Sequence, residues 1–186
     1  MNKKIAEKFM TFIGIGLFFI AFNACDKVKE LASFDVVVDI PPQTIIMQNA
    51  LKNGLTEQYY EFNAYVNLDS IQQAHNLTSF TLESGKIREA KLTIIAPEGQ
   101  NFDFLLSSRI SLFSSEIAEN VVAHTGNLTP GATSLIFIID QADLTQLIKS
   151  QTFHGKLYYD TNSALMPATP VINQLELKIE FTINPL

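Results

Sequence analysis

The run Leu175-Glu176-Leu177-Lys178-Ile179-Glu180-Phe181-Thr182-Ile183, close to the C-terminus, decides the class of fold. Apolar and polar residues alternate through it without a break. A β-strand, whose side chains point to opposite faces in turn, converts that period into one apolar and one solvated surface. The pattern recurs upstream. Phe34, Val36, Val38 and Ile40 alternate with Asp35, Val37 and Asp39, and Tyr60, Phe62, Ala64 and Val66 alternate with Tyr59, Glu61, Asn63 and Tyr65. Arg88, Ala90, Leu92 and Ile94 do the same against Glu89, Lys91 and Thr93. Weaker strand signals cover Thr44 to Met47, Arg109 to Phe113, Asn120 to His124 and Phe153 to Asp160.

Breakers divide these runs. Pro41-Pro42 is expected to end the first strand, because proline cannot donate to a ladder. Lys52-Asn53-Gly54, Pro97-Glu98-Gly99 and Thr129-Pro130-Gly131 read as turns. The unbroken apolar run Leu135 to Ile139 predicts a strand covered on both faces. Two short helices are expected. One runs from Ser70 to His75 with Asp69 as its cap; the other spans Asp143 to Ser150, with Leu144, Leu147 and Ile148 on one face. About eight or nine strands with one or two short helices point to an all-β fold, an antiparallel β-sandwich. No repeat or second linker interrupts residues 33 to 186, which read as a single β-sandwich domain.

The N-terminus has a different character. Lys3, Lys4 and Lys8 precede an apolar run from Phe9 to Phe22 that closes on Asn23-Ala24-Cys25. A charged and then apolar leader is a secretory signal peptide rather than part of a fold. A cut after Ala24 would set bulky Phe22 where ordinary secretory peptidases need a small residue. The segment resembles the lipobox of bacterial lipoproteins, as in Bacteroidota envelope lipoproteins. There the cysteine takes a diacylglycerol on its sulfur and becomes the new N-terminus. The resemblance implies a signal peptide over residues 1 to 24, lipidation of Cys25, a tether over residues 25 to 32, and an address in the cell envelope at the outer membrane. It does not extend into the domain.

Without residues 1 to 24 the chain keeps 10 basic against 18 acidic residues, which argues against nucleic acid and against adsorption to anionic lipid. The membrane is then a partner only through the lipid on Cys25. Cys25 is the one cysteine, so an intramolecular disulfide and a thiolate metal cluster are both excluded.

Catalytic motifs are missing: no G-x-S-x-G elbow, H-E-x-x-H helix, phosphate-cradling loop or kinase set occurs in the domain, and no catalytic residue, metal or cofactor is expected. His75, His124 and His154 are far apart in sequence. Asp35 and Asp39 share a strand face at roughly 13 Å, beyond the ~6.5–9.5 Å of inverting glycosidases, and read as solvated charges. Asp140, Asp143 and Asp160 border strand ends without the spacing of a calcium loop, and helix capping suits Asp140 or Asp143. Tyr59, Tyr65 and Tyr158 turn away from the core, where flat rings can meet the apolar faces of sugars or simply stack across strands. Asp69-Ser70-Ile71 resembles the Asp-Ser/Thr-aliphatic O-glycosylation motif of Bacteroidota-type exported proteins, which implies Ser70 as an acceptor. These observations lead to a lipid-anchored cell-envelope protein acting as a non-catalytic binding or structural module. The alternatives are a glycan-binding domain using the outward tyrosines, and a hydrolase whose carboxylates meet only in three dimensions.

Overall fold

The computed structural model describes residues 33–48, 58–140 and 142–186. The leader, Cys25 and the Lys52-Asn53-Gly54 turn lie outside the described residues. Among those described, nine strands run in the order β1 (Phe34–Met47), β2 (Gln58–Tyr65), β3 (Phe80–Ala96), β4 (Leu105–Phe113), β5 (Asn120–His124), β6 (Ser134–Ile136), β7 (Ile138–Ile139), β8 (Thr152–Thr161) and β9 (Val171–Pro185). Helix α1 (Leu68–Ala74) follows β2, and helix α2 (Thr145–Lys149) follows β7. No described helix is long and apolar enough to cross a membrane.

The strands form two antiparallel sheets, of order β1-β9-β3-β6 and β2-β8-β4-β5-β7. The expected antiparallel β-sandwich is the fold, and its strand order is that of a jelly roll. Strand β9 lies between β1 and β3, and its alternation holds along its whole length: Val171, Asn173, Leu175, Leu177, Ile179, Phe181 and Ile183 are buried, with half-buried residues between them. Those side chains meet Phe153, Leu157, Ile110, Leu112 and the rest of one continuous core, in which each fully buried Leu or Phe contributes about 1.5–3 kcal/mol. Asn173 is the one polar member of that strand face. Its Nδ2 donates to the Val171 carbonyl at 3.1 Å and the Ile45 carbonyl at 3.4 Å, while its buried Oδ1 has no protein partner.

Close approach fixes two glycines. Gly155 on β8 faces the core opposite Phe62 of β2, whose ring lies where a Cβ would be, with Cζ 2.2 Å from that point. Gly85 on β3 gives the same space to Ile148 of α2, and its carbonyl accepts from the Leu144 amide at 2.7 Å, docking the helix on the sheet.

Four expectations are corrected. Pro41-Pro42 does not end β1: the pairing with β9 steps from Ile40↔Leu177 to Gln43↔Leu175, so the two prolines bulge out of a strand that continues to Met47. The missing N–H groups are tolerated because β1 is an edge strand and the bulge needs no ladder bond there. The Leu135 to Ile139 run is not covered on both faces. Leu135 and Phe137 are buried, but Ile136 is 75% and Ile138 52% exposed, because the run passes from the edge of one sheet to the edge of the other. Arg88 leaves the face it shares by simple alternation with Ala90, since a bulge between Ile87 and Glu89 turns it outward. The cap of α1 is Asn67, whose Oδ1 accepts from the Ser70 amide at 2.8 Å; Asp69 sits in the first turn instead.

Candidate functional site

The outer faces of the two sheets differ in kind. On the four-stranded sheet, charges pair across strands. Glu180 takes Lys86 at 2.8 Å and Arg88 at 2.9 Å, Lys178 reaches Glu89 at 2.9 Å, and Lys91 reaches Glu176 at 3.5 Å. Asp35 accepts from Thr182, which accepts from Ser84. Exposed pairs of this kind contribute at most about 1 kcal/mol each, so they read as a solvated face that also fixes register.

The five-stranded sheet carries rings and cations instead. Antiparallel register sets Tyr59 opposite Tyr158, Tyr158 opposite Arg109, Arg109 opposite His124, and His124 opposite Ile138, one row running across every strand. The rings of Tyr59 and Tyr158 lie 5.6 Å apart and tilted by 48°, a favoured aromatic geometry. The Arg109 guanidinium lies 4.2 Å from the Tyr158 centroid. In the next row Lys156 stands between two rings, 5.2 Å from Tyr59 and 4.8 Å from Phe113, and beyond it His154 packs 5.4 Å from Phe113 while bonding Asn63 at 2.7 Å.

Glu119, from the loop after β4, ties the two rows together. It takes the Lys156 ammonium at 2.9 Å through one oxygen and the Tyr158 hydroxyl through the other. Burial pushes the Glu119 carboxyl up, but the hydrogen bonds from Tyr158 and Lys156 outweigh it and hold it below the usual glutamate range. The same bond to Glu119 raises Lys156.

A hollow of about 230 Å³ opens beside the first row, where Ser107, Arg109, His124, Thr125, Tyr158 and Asp160 line it. Its polar groups hold one another in place: the Ser107 hydroxyl donates to Asp160 at 2.6 Å, and His124 Nδ1 lies 3.1 Å from Asp140. With Nδ1 engaged by the Asp140 carboxylate, Nε2 is the other polar atom of the ring.

The structure brings together Tyr59 and Tyr158 but not Tyr65, which faces Thr152 at the far end of β2, roughly 20 Å away at ~3.3 Å per residue. Ser70 is exposed in the first turn of α1, beside buried Ile71. The three histidines have separate partners, His75 against Phe34, His124 on Asp140 and His154 on Asn63. The three aspartates also separate: Asp140 meets His124, Asp160 meets Ser107, and Asp143 accepts from the Thr145 amide at the start of α2, where the N-cap residue is Leu144 and not the expected aspartate. Among the described residues no group of three or more His, Cys, Asp or Glu is placed to hold a metal. Sequence reasoning missed Arg109, Lys156, Glu119, Phe113 and Ser107 as members of this face. The alternation of β8 already put Lys156, Tyr158 and Asp160 on one side, but which residues of β2 and β4 stand beside them follows only from register.

No family model matches the chain, and neither does any curated protein. Among solved structures it is similar to the protein of "Crystal structure of 60-mer BFDV Capsid Protein", at 9% identity, over 83% of this chain and 95% of that one, with a TM-score of 0.35. A likeness at that level carries no functional information.

Proposed function

We propose that this chain is a lipid-anchored, non-catalytic binding module of the bacterial cell envelope, and that the outer face of its five-stranded sheet is the binding surface. The supporting observation is the contrast between the two faces. One is a ladder of paired charges; the other gathers Tyr59, Tyr158, Phe113, Arg109, Lys156 and His154 into three adjoining rows. Aromatic rings and arginine are the residue types that carry most contact energy at interfaces. The anchor rests on the lipobox resemblance at Cys25.

Two experiments test the two halves. Labelling with a clickable fatty acid should mark the wild-type chain and place it in the membrane fraction, whereas Cys25→Ala loses both label and membrane retention; an unlabelled, soluble wild type refutes the anchor. Co-sedimentation of the Cys25→Ala chain with isolated cell envelopes tests the face without help from lipid. Adding Tyr59→Ala or Lys156→Ala should lower the bound fraction, and adding Glu83→Gln on the opposite sheet should leave it unchanged. Equal binding by all four proteins refutes the assignment of the face. The adjacency of Tyr59 and Tyr158 favours a glycan as what it binds, since two neighbouring rings offer an apolar platform with a polar border.

A further inference from the structure

We infer that the hollow bordered by Asp160, Ser107, Tyr158, Arg109 and His124 is a subsite for one uncharged sugar unit of a glycan, an inference that rests on the five-stranded face being the binding surface. Its volume of about 230 Å³ falls below the ~300 Å³ at which sites for drug-sized ligands begin, so it holds a single ring rather than an extended molecule. The lining mixes acceptors and donors: the Asp160 carboxylate, the Ser107 hydroxyl and the side chains of Arg109 and His124, while the Thr125 hydroxyl is spent on the Ser108 backbone, accepting from its amide at 2.9 Å and donating to its carbonyl at 3.2 Å. A polyol matches that mixture, because each of its hydroxyls donates once and accepts as well.

Charge narrows the class further. Asp160 offsets Arg109 at the hollow, His124 is already met by Asp140, and the whole chain carries a net −6. With the Arg109 cation matched by the Asp160 carboxylate among the lining residues, a carboxylate or phosphate gains no net attraction there, so uronic acids and phosphorylated sugars are disfavoured relative to neutral hexoses. The groups are also held before any ligand arrives. Ser107 orients Asp160 at 2.6 Å, Asp140 orients His124 at 3.1 Å, and all of them project from paired strands or their ends rather than from long loops. Tyr158 spends one ring face on Arg109 and packs against Tyr59, so it acts as a wall; Tyr59, 53% exposed, is the ring onto which a neighbouring sugar would stack.

Affinity electrophoresis of the full chain in detergent, through gels cast with laminarin, mannan or dextran and in parallel with alginate or polygalacturonate, tests the assignment. Retardation is expected in at least one neutral gel and in neither uronate gel. Asp160→Asn, Ser107→Ala and Tyr59→Ala should each weaken the dissociation constant for the retarding polysaccharide about tenfold or more, with unchanged thermal melts, and Glu83→Gln should not. The inference is overturned by no retardation in any neutral gel, by retardation in the uronate gels, or by Asp160→Asn and Ser107→Ala binding as the wild type does. If neutral gels fail while envelope co-sedimentation still depends on Tyr59 and Lys156, the sugar subsite is wrong and the binding face stands; if both fail, the face is wrong as well.

Discussion

Gly155→Ala places one methyl group where the structure has no room for it. The new Cβ would lie 2.2, 2.4 and 2.8 Å from three ring carbons of Phe62, well inside van der Waals contact. Phe62 is 3% exposed and enclosed by the core, so its ring can clear the methyl only by displacing other packed side chains. Overpacking of this kind costs about 1–3 kcal/mol. Against it stands the entropic gain of replacing glycine in the unfolded chain, about 0.4–1 kcal/mol where the backbone is compatible, and Gly155 is not among the residues of positive φ. The net expectation is a loss of about 1–2 kcal/mol, which for a domain of this size lowers the melting temperature by roughly 2–8 °C. Urea titration and thermal melts of Gly155→Ala, Phe62→Leu and the double variant measure it. The double variant should be more stable than the sum of the single losses by about 1 kcal/mol, since the smaller side chain makes way for the methyl. A Gly155→Ala protein as stable as the wild type, or strictly additive losses, would refute the placement of Phe62 over Gly155 and with it the β2–β8 register that builds the candidate site.

Asn67→Ala should remove the cap of α1 at a cost of about 1 kcal/mol, read as a lower melting temperature, and Asp69→Ala should cost less; the reverse order would contradict the cap assignment. The Glu119 carboxyl is held below its usual range in the folded protein, so the stability it lends is present above the ordinary glutamate range and is lost as pH falls through the folded value. Glu119→Gln should therefore lower the urea midpoint at neutral pH and flatten its fall in acid, and parallel acid limbs for wild type and variant would refute this. Replacing Pro41 and Pro42 by threonine restores N–H groups to an exposed edge, and concentration-dependent association in light scattering should follow; a variant that stays as monodisperse as the wild type would show that the bulge does not protect that edge.

What the sequence made legible depended on how regular each strand is. Strand β9 keeps strict alternation over its length and was readable residue by residue. Strand β3 carries bulges at Leu82/Ser84, Ile87/Glu89 and Ile94/Ala96, each of which resets the period, so its first half around Gly85 left no alternating signal and Arg88 was put on the wrong face. Pro41-Pro42 reads as a terminator when nothing tells an edge strand from a central one. Ile136 and Ile138 read as buried because hydrophobicity alone cannot show that a run lies along two sheet edges. At the site, alternation turned Tyr59 and Tyr158 outward, but their meeting depends on β2 pairing with β8, partners 99 residues apart at Tyr59↔Tyr158. Pairing over such separations is set by the whole fold, and no local pattern encodes it.

The position of β9 also dictates a timetable. It is the strand nearest the C-terminus, yet it lies between β1 and β3 and supplies both with their long antiparallel partner. A chain made from its N-terminus must therefore hold Phe34–Met47 without its neighbour until residues 171–185 have been synthesised. The loop closed by that pairing is long, so the step is slow and late, and it completes the four-stranded sheet in one event. Any ribosome-bound or truncated form that lacks β9 has no way to assemble that sheet.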